Sequence, residues 1–119
     1  MSYAVQDSRP FPRPAAELLA LASAIVVELG GKLARKPPAA GELRAEFNKS
    51  VGGTAFGNRV QLIVRATGDS PDRGTLSVEA YPIDPVGKPL RFGVLGEPAR
   101  LVIGAVWSRL TERLAPAAR

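Results

Sequence analysis

Glu42-Leu43-Arg44-Ala45-Glu46-Phe47-Asn48, Arg59-Val60-Gln61-Leu62-Ile63-Val64-Arg65-Ala66-Thr67 and Thr75-Leu76-Ser77-Val78-Glu79-Ala80-Tyr81 follow one another within the stretch 41–84. Apolar and polar side chains alternate in each. Leu43, Ala45 and Phe47 share one face of the first segment, Val60, Leu62, Val64 and Ala66 one face of the second, and Leu76, Val78 and Ala80 one face of the third. Ile63 is the exception, falling among Arg59, Gln61 and Arg65. Successive strand side chains point to opposite faces, so this alternation predicts three strands buried on one side only. A sheet with one wet face is as a rule antiparallel. Leu62 is expected in the core, and Gln61 and Arg65 in solvent.

The connections 50–58 and 68–74 are rich in Gly, Ser, Asn, Asp and Pro. Both are too short for a crossover helix, which again requires antiparallel neighbours. Pro82 removes a ladder donor and places the end of the third strand at an edge or a bulge.

Working outward, Tyr3-Ala4-Val5-Gln6-Asp7 reads as a short strand, and Pro10, Pro12 and Pro14 as a stiff linker to a helix. Such a run also suits domains that read extended proline segments; the connection is the preferred reading. The helix spans Ala15–Leu29, with Glu17 near its N-terminal dipole and Gly30-Gly31 as its stop. Leu18, Ala22, Ile25 and Leu29 form a stripe, and Leu19, Leu21, Val26 and Val27 widen it nearly all round, so a second helix or another subunit must cover it. Arg9 and Arg13 ahead of this apolar run imitate a targeting segment, but Glu17 and Glu28 interrupt the run. A membrane span needs about twenty apolar residues. The segment is read as a core helix of a cytoplasmic protein with no membrane association.

Lys32–Ala40 is a basic turn into the meander. After it, Asp84-Pro85-Val86-Gly87 suits a type I turn, and the alternation of Leu90, Phe92 and Val94 suits a further short strand. Glu97–Leu114 reads as a second helix, with Val102, Val106, Leu110 and Leu114 in one row and Ile103 and Trp107 beside it. The expected fold is α+β in two layers: an antiparallel sheet of four to five strands with two helices on one face, in the order β-α-β-β-β-(β)-α. It forms a single domain over residues 1–119.

The chain has no Cys and no His. Disulfides, Cys/His zinc sites, a His base and Ser-His-Asp or Cys-His catalysis are therefore excluded for this chain alone. Ser, Thr, Tyr, Lys, Asp and Glu remain, in no recognisable catalytic arrangement, and no motif calls for a cofactor. Net charge is +5, with pI about 10.2. This favours anionic partners, but the cations are scattered and only Lys32, Arg35 and Lys36 cluster. A dedicated nucleic-acid site gathers its cations on one face.

Other candidates have plainer readings. Gly52-Gly53-Thr54-Ala55-Phe56-Gly57 lacks the Lys-Ser/Thr ending of a phosphate-binding loop, so it reads as a hairpin tip. At Phe92-Gly93-Val94-Leu95-Gly96, Glu97 occupies the helix start that an anion would need. Glu42, Glu46 and Glu79 could meet on the open sheet face as an acid–base or metal cluster, yet Arg44, Arg59 and Arg65 share that face and predict cross-strand ion pairs.

The element order is similar to that of small helix-grip domains. The opening Ser2-Tyr3-Ala4-Val5-Gln6-Asp7-Ser8-Arg9-Pro10-Phe11-Pro12-Arg13-Pro14-Ala15-Ala16-Glu17-Leu18-Leu19 resembles the start of polyketide-cyclase/START-like domains, where a strand leads through a proline into a helix. Those families grip an apolar ligand between a curved sheet and a long C-terminal helix. The resemblance implies a groove lined by Trp107, Phe56 and Phe92, although no functional residue carries over; the plainer and preferred reading makes all three rings core. The expected function is a small non-enzymatic binding or assembly domain, for a protein partner or an apolar small molecule, working as a homo-oligomer. The alternative is a basic nucleic-acid-binding protein acting through Lys32, Arg35 and Lys36.

Overall fold

The computed structural model describes residues 5–34, 40–83 and 97–114, with side chains described except at 49, 54–58, 97 and 98. The elements are β1 (Val5–Phe11), α1 (Ala15–Glu28), β2 (Lys32–Leu33), β3 (Glu42–Val51), β4 (Thr54–Ser70), β5 (Arg73–Ile83) and α2 (Glu97–Leu114). The strands form one five-stranded antiparallel sheet in the order β1-β5-β4-β3-β2. The expected two-layer α+β architecture is present. The strand that follows β1 and α1 is the two-residue β2; the expected strand around Leu90, Phe92 and Val94 lies outside the described residues.

This order makes α1 a crossing element. The chain leaves β1 at one sheet edge and re-enters as β2 at the other. The 14 residues of α1 span about 21 Å, and five strands spaced by about 4.8 Å put the outer two about 19 Å apart. The helix is thus long enough to cross the sheet once. Its end is a hydrogen-bonded cap: Gly30 N–H donates to Val27 O at 3.1 Å and Gly31 N–H to Val26 O at 2.8 Å. Leu18, Ala22, Ile25, Val26 and Leu29 are buried. The sheet and α2 cover most of the wide apolar stripe of α1, while Val27 stays exposed.

The connections are tighter than expected. Strands β3 and β4 run on through a register shift between Asn48 and Ser50 and meet at Gly52-Gly53. Both glycines have positive φ, 55° and 87°, as a two-residue turn matched to strand twist requires. Strands β4 and β5 likewise continue past a register shift near Gly68 to a turn at Pro71-Asp72. Strand β1 continues through Pro10, which an edge strand tolerates. It therefore absorbs part of the expected proline linker.

One sheet face packs on both helices. Phe47, Val60, Leu62, Val64, Leu76, Val78 and Ala80 are fully buried there against Leu18, Ile25, Val102, Val106 and Leu110. The other face carries cross-strand polar rows. Ile63 is buried on it because the register sets it between Arg44 and Glu79. Arg65 is exposed as expected. Gln61 is only half-buried, because its side-chain amide donates to Ala45 O at 3.2 Å instead of turning to solvent.

Candidate functional site

Strand register places Val5 opposite Ala80, Asp7 opposite Val78, Arg9 opposite Leu76 and Phe11 opposite Gly74. Partners across a ladder share a face, so these four β1 residues lie on the inner, helix-covered side. There they meet α2. The rings of Phe11 and Trp107 have centroids 6.2 Å apart, tilted by 39°. The Arg9 guanidinium carbon lies 4.6 Å from the centre of the Trp107 ring, within cation–π range.

A cleft of about 490 Å³ opens beside this stack, lined by Arg9, Gly104, Trp107, Ser108, Thr111 and Glu112. Trp107 is 4% exposed. Its indole Nε1 is buried and finds no acceptor among the described residues. An unpaired buried donor costs about 1–3 kcal/mol. Ser108 and Thr111 add hydroxyls on the same helix flank. Arg9 is held by Asp7 through a single long contact, Nε to Oδ2 at 3.4 Å, with both side chains nearly half exposed. Deeper in, between α2 and the central strands, lie core side chains.

Of the ring set expected from the sequence, Trp107 stands at this cleft. The side chain of Phe56 and all of Phe92 lie outside the described residues. The described ring beside Trp107 is Phe11, which the sequence reading passed over together with Arg9. A signal for both existed. Extending the β1 alternation past Asp7 sets Val5, Asp7, Arg9 and Phe11 on one face, but Pro10 and Pro12 argued for ending the strand early.

The basic cluster is mostly out of view. Lys32 is exposed on β2, while Arg35 and Lys36 lie outside the described residues. Most of the described arginines have carboxylate partners. Arg44 Nε and Arg65 Nε donate to the two oxygens of Glu42 at 2.8 and 3.0 Å. Arg65 also approaches Glu79 at 3.7 Å, and Arg59 donates to Glu46 at 3.2 Å. Arg13 pairs with Glu17, and Arg109 and Arg113 both reach Glu28. The open sheet face thus carries the expected ion pairs. The hydrogen bond from Arg44 holds the Glu42 carboxyl below its ordinary pKa, with burial opposing and Arg65 adding to the lowering. The Arg44 guanidinium is raised in turn, first by that same bond. Among the described residues, no group of three or more acidic side chains could hold a metal ion.

No family model matches the chain, and no curated protein sequence does. Among solved structures it is similar to a START superfamily protein from Mycobacterium smegmatis, at 11% identity over 93% of this chain and 96% of that one, with a TM-score of 0.50. It is also similar to the Zhui aromatase/cyclase from Streptomyces sp. R1128, at 15% identity over 97% and 96% of the two chains, with a TM-score of 0.40, too low to bear an argument. The likeness is one of fold. A sheet gripped by a C-terminal helix, with a crossing helix before the meander, is the helix-grip arrangement that the element order suggested. No helix among the described residues is long and apolar enough to cross a membrane, which leaves strand-based crossing unaddressed.

Proposed function

We propose that this chain is a small non-enzymatic binding domain that takes an apolar small molecule at the rim of its grip, where β1 meets α2. The observation that supports this reading is Trp107, whose ring meets both Phe11 and Arg9 and lines a cleft while its buried N–H lacks an acceptor among the described residues. Ligand pockets are mostly apolar and aromatic, with a few placed polar groups, and this rim has that composition. Two features favour binding over catalysis: no His or Cys is present, and Glu42, Glu46 and Glu79 are engaged by arginines. The sequence adds Phe56 and Phe92 to this proposal as further ring candidates. Self-association is proposed with it, through Val27, Leu33 and Leu101, the large apolar side chains that stand exposed among the described residues; light scattering over a concentration series tests it.

Trp107 is the only tryptophan, so intrinsic fluorescence reports this site alone. A long-chain alcohol or an apolar dye should shift or quench its emission saturably. Emission unchanged by every apolar probe would reject the reading.

A further inference from the structure

We propose that the cleft beside Trp107 takes an amphipathic carboxylate, with its apolar body along the α2 flank of the cleft and its carboxylate on the guanidinium of Arg9; this rests on the ligand-binding reading above. On the inner face of the sheet the described side chains are apolar at every register position except Asp7 and Arg9 of β1. Inward charges on an edge strand can serve to block pairing with other chains. That role uses neither Trp107 nor a cleft. Here the charge is positioned: the guanidinium is parked over the indole face 4.6 Å from the ring centre.

Arg9 also has capacity to spare. Its described hydrogen bond uses Nε and is long, 3.4 Å to Asp7. Among the described residues, the two terminal nitrogens have no acceptor. A planar guanidinium with free terminal N–H groups matches a carboxylate through two parallel hydrogen bonds. The indole face beneath excludes water from one side of that contact. The cleft volume of about 490 Å³ suits a small amphiphile, since ligand pockets run from about 300 to 1,000 Å³. Glu112 lines the same cleft and repels an anion from its own end. The carboxylate therefore belongs at Arg9 and the apolar body along the α2 flank towards Thr111.

The probes are decanoate and decanol, which share a chain and differ in charge, each titrated below micelle-forming concentrations near neutral pH while Trp107 emission is followed. Decanoate should bind about tenfold more tightly than decanol, as expected of hydrogen bonds to a charged group. Arg9→Gln should bring decanoate down to the level of decanol, and Arg9→Lys should restore only part of the preference. Thermal melts confirm that the variants fold, and the wild-type comparison of the two probes stands without them. Equal affinity for the two probes, or a preference that survives Arg9→Gln, overturns the proposal while leaving the ligand-binding reading in place. Silence to both probes and to an apolar dye overturns both.

Discussion

Gly31 lies against the ring of Phe47: a β-carbon at position 31 would stand 2.8 Å from Phe47 Cζ and 2.7 Å from Val26 Cγ1. The end of α1 is therefore seated on the core through a missing side chain. Phe47 is fully buried and cannot swing out of the way. Overpacking of this kind costs about 1–3 kcal/mol, so Gly31→Ala should lower the urea midpoint accordingly. Gly104, in the middle of α2, makes the contrast, because nothing lies within 4 Å of its would-be β-carbon. Gly104→Ala should stabilise by about 0.5–1 kcal/mol through helix propensity. Opposite signs for the two variants in melts, with the larger change at Gly31, check the seating of both helices.

The two faces of β4 should answer differently to truncation. Leu62 is fully buried among core side chains, and Leu62→Ala should cost about 2–5 kcal/mol. Arg65 is exposed between Glu42 and Glu79. Exposed ion pairs contribute about 0–1 kcal/mol, so Arg65→Ala should stay within that range. Comparable losses from both, read from urea melts, would mean that the open face is covered.

That face assignment was legible because alternation is a property of the residues themselves: Val60, Leu62 and Val64 have no stable place except together on a covered side. The crossing helix was legible for the same reason, from Leu18, Ala22, Ile25 and Leu29. Turn lengths were not. Whether Ser50 and Gly68 end a strand or continue through a bulge depends on cross-strand partners, and the glycines that permit a turn also permit a bulge. The rim site was half legible. Trp107 announced itself on the inner row of α2, but Arg9 and Phe11 matter only once β1 is known to continue through Pro10, and that depends on β5 being there to pair with it. Arg44 and Arg65 show the limit of composition: a basic chain looks free to bind anions until its arginines are seen beside their carboxylates.

Charge pairing makes a prediction about nucleic acid. Of the described cations, Lys32, Arg73 and Arg100 have no ion-pair partner among the described residues, and they sit on β2, β5 and α2 respectively. Nucleic-acid binding requires many phosphate contacts and falls steeply with salt, with a slope that counts them. We expect only weak, sequence-independent retention of DNA or RNA at low salt, gone at physiological ionic strength. Mobility shifts across a salt series check this. Tight binding lost on replacing Lys32, Arg35 and Lys36 together would revive the nucleic-acid alternative.

Acid should act on the sheet through Glu42. Its carboxyl accepts from Arg44 at 2.8 Å and Arg65 at 3.0 Å, and its pKa is lowered from the ordinary value, with the Arg44 bond as the largest cause. A group whose pKa is lower in the folded than in the unfolded chain releases its proton more readily when folded. The unfolded chain then binds more protons over the interval between the two values, and stability rises with pH across that interval. The contribution is complete above the ordinary carboxylate pKa of 4.5. It diminishes as pH falls below that value and is gone once pH has passed through the lowered folded value. Glu42→Gln keeps the shape and can still accept a hydrogen bond but cannot titrate. Its melting temperature should therefore lie below that of the wild type near neutral pH, and the two curves should converge as the pH drops through the acid range. The convergence distinguishes this from loss of packing, which would leave a constant offset at every pH. Arg44→Gln, by removing the largest cause, should shift the acid limb of the wild-type curve towards higher pH. Melts of the three proteins across the acid range check it, and parallel curves for wild type and Glu42→Gln would show that the Arg44–Glu42–Arg65 bridge adds nothing that depends on its charge.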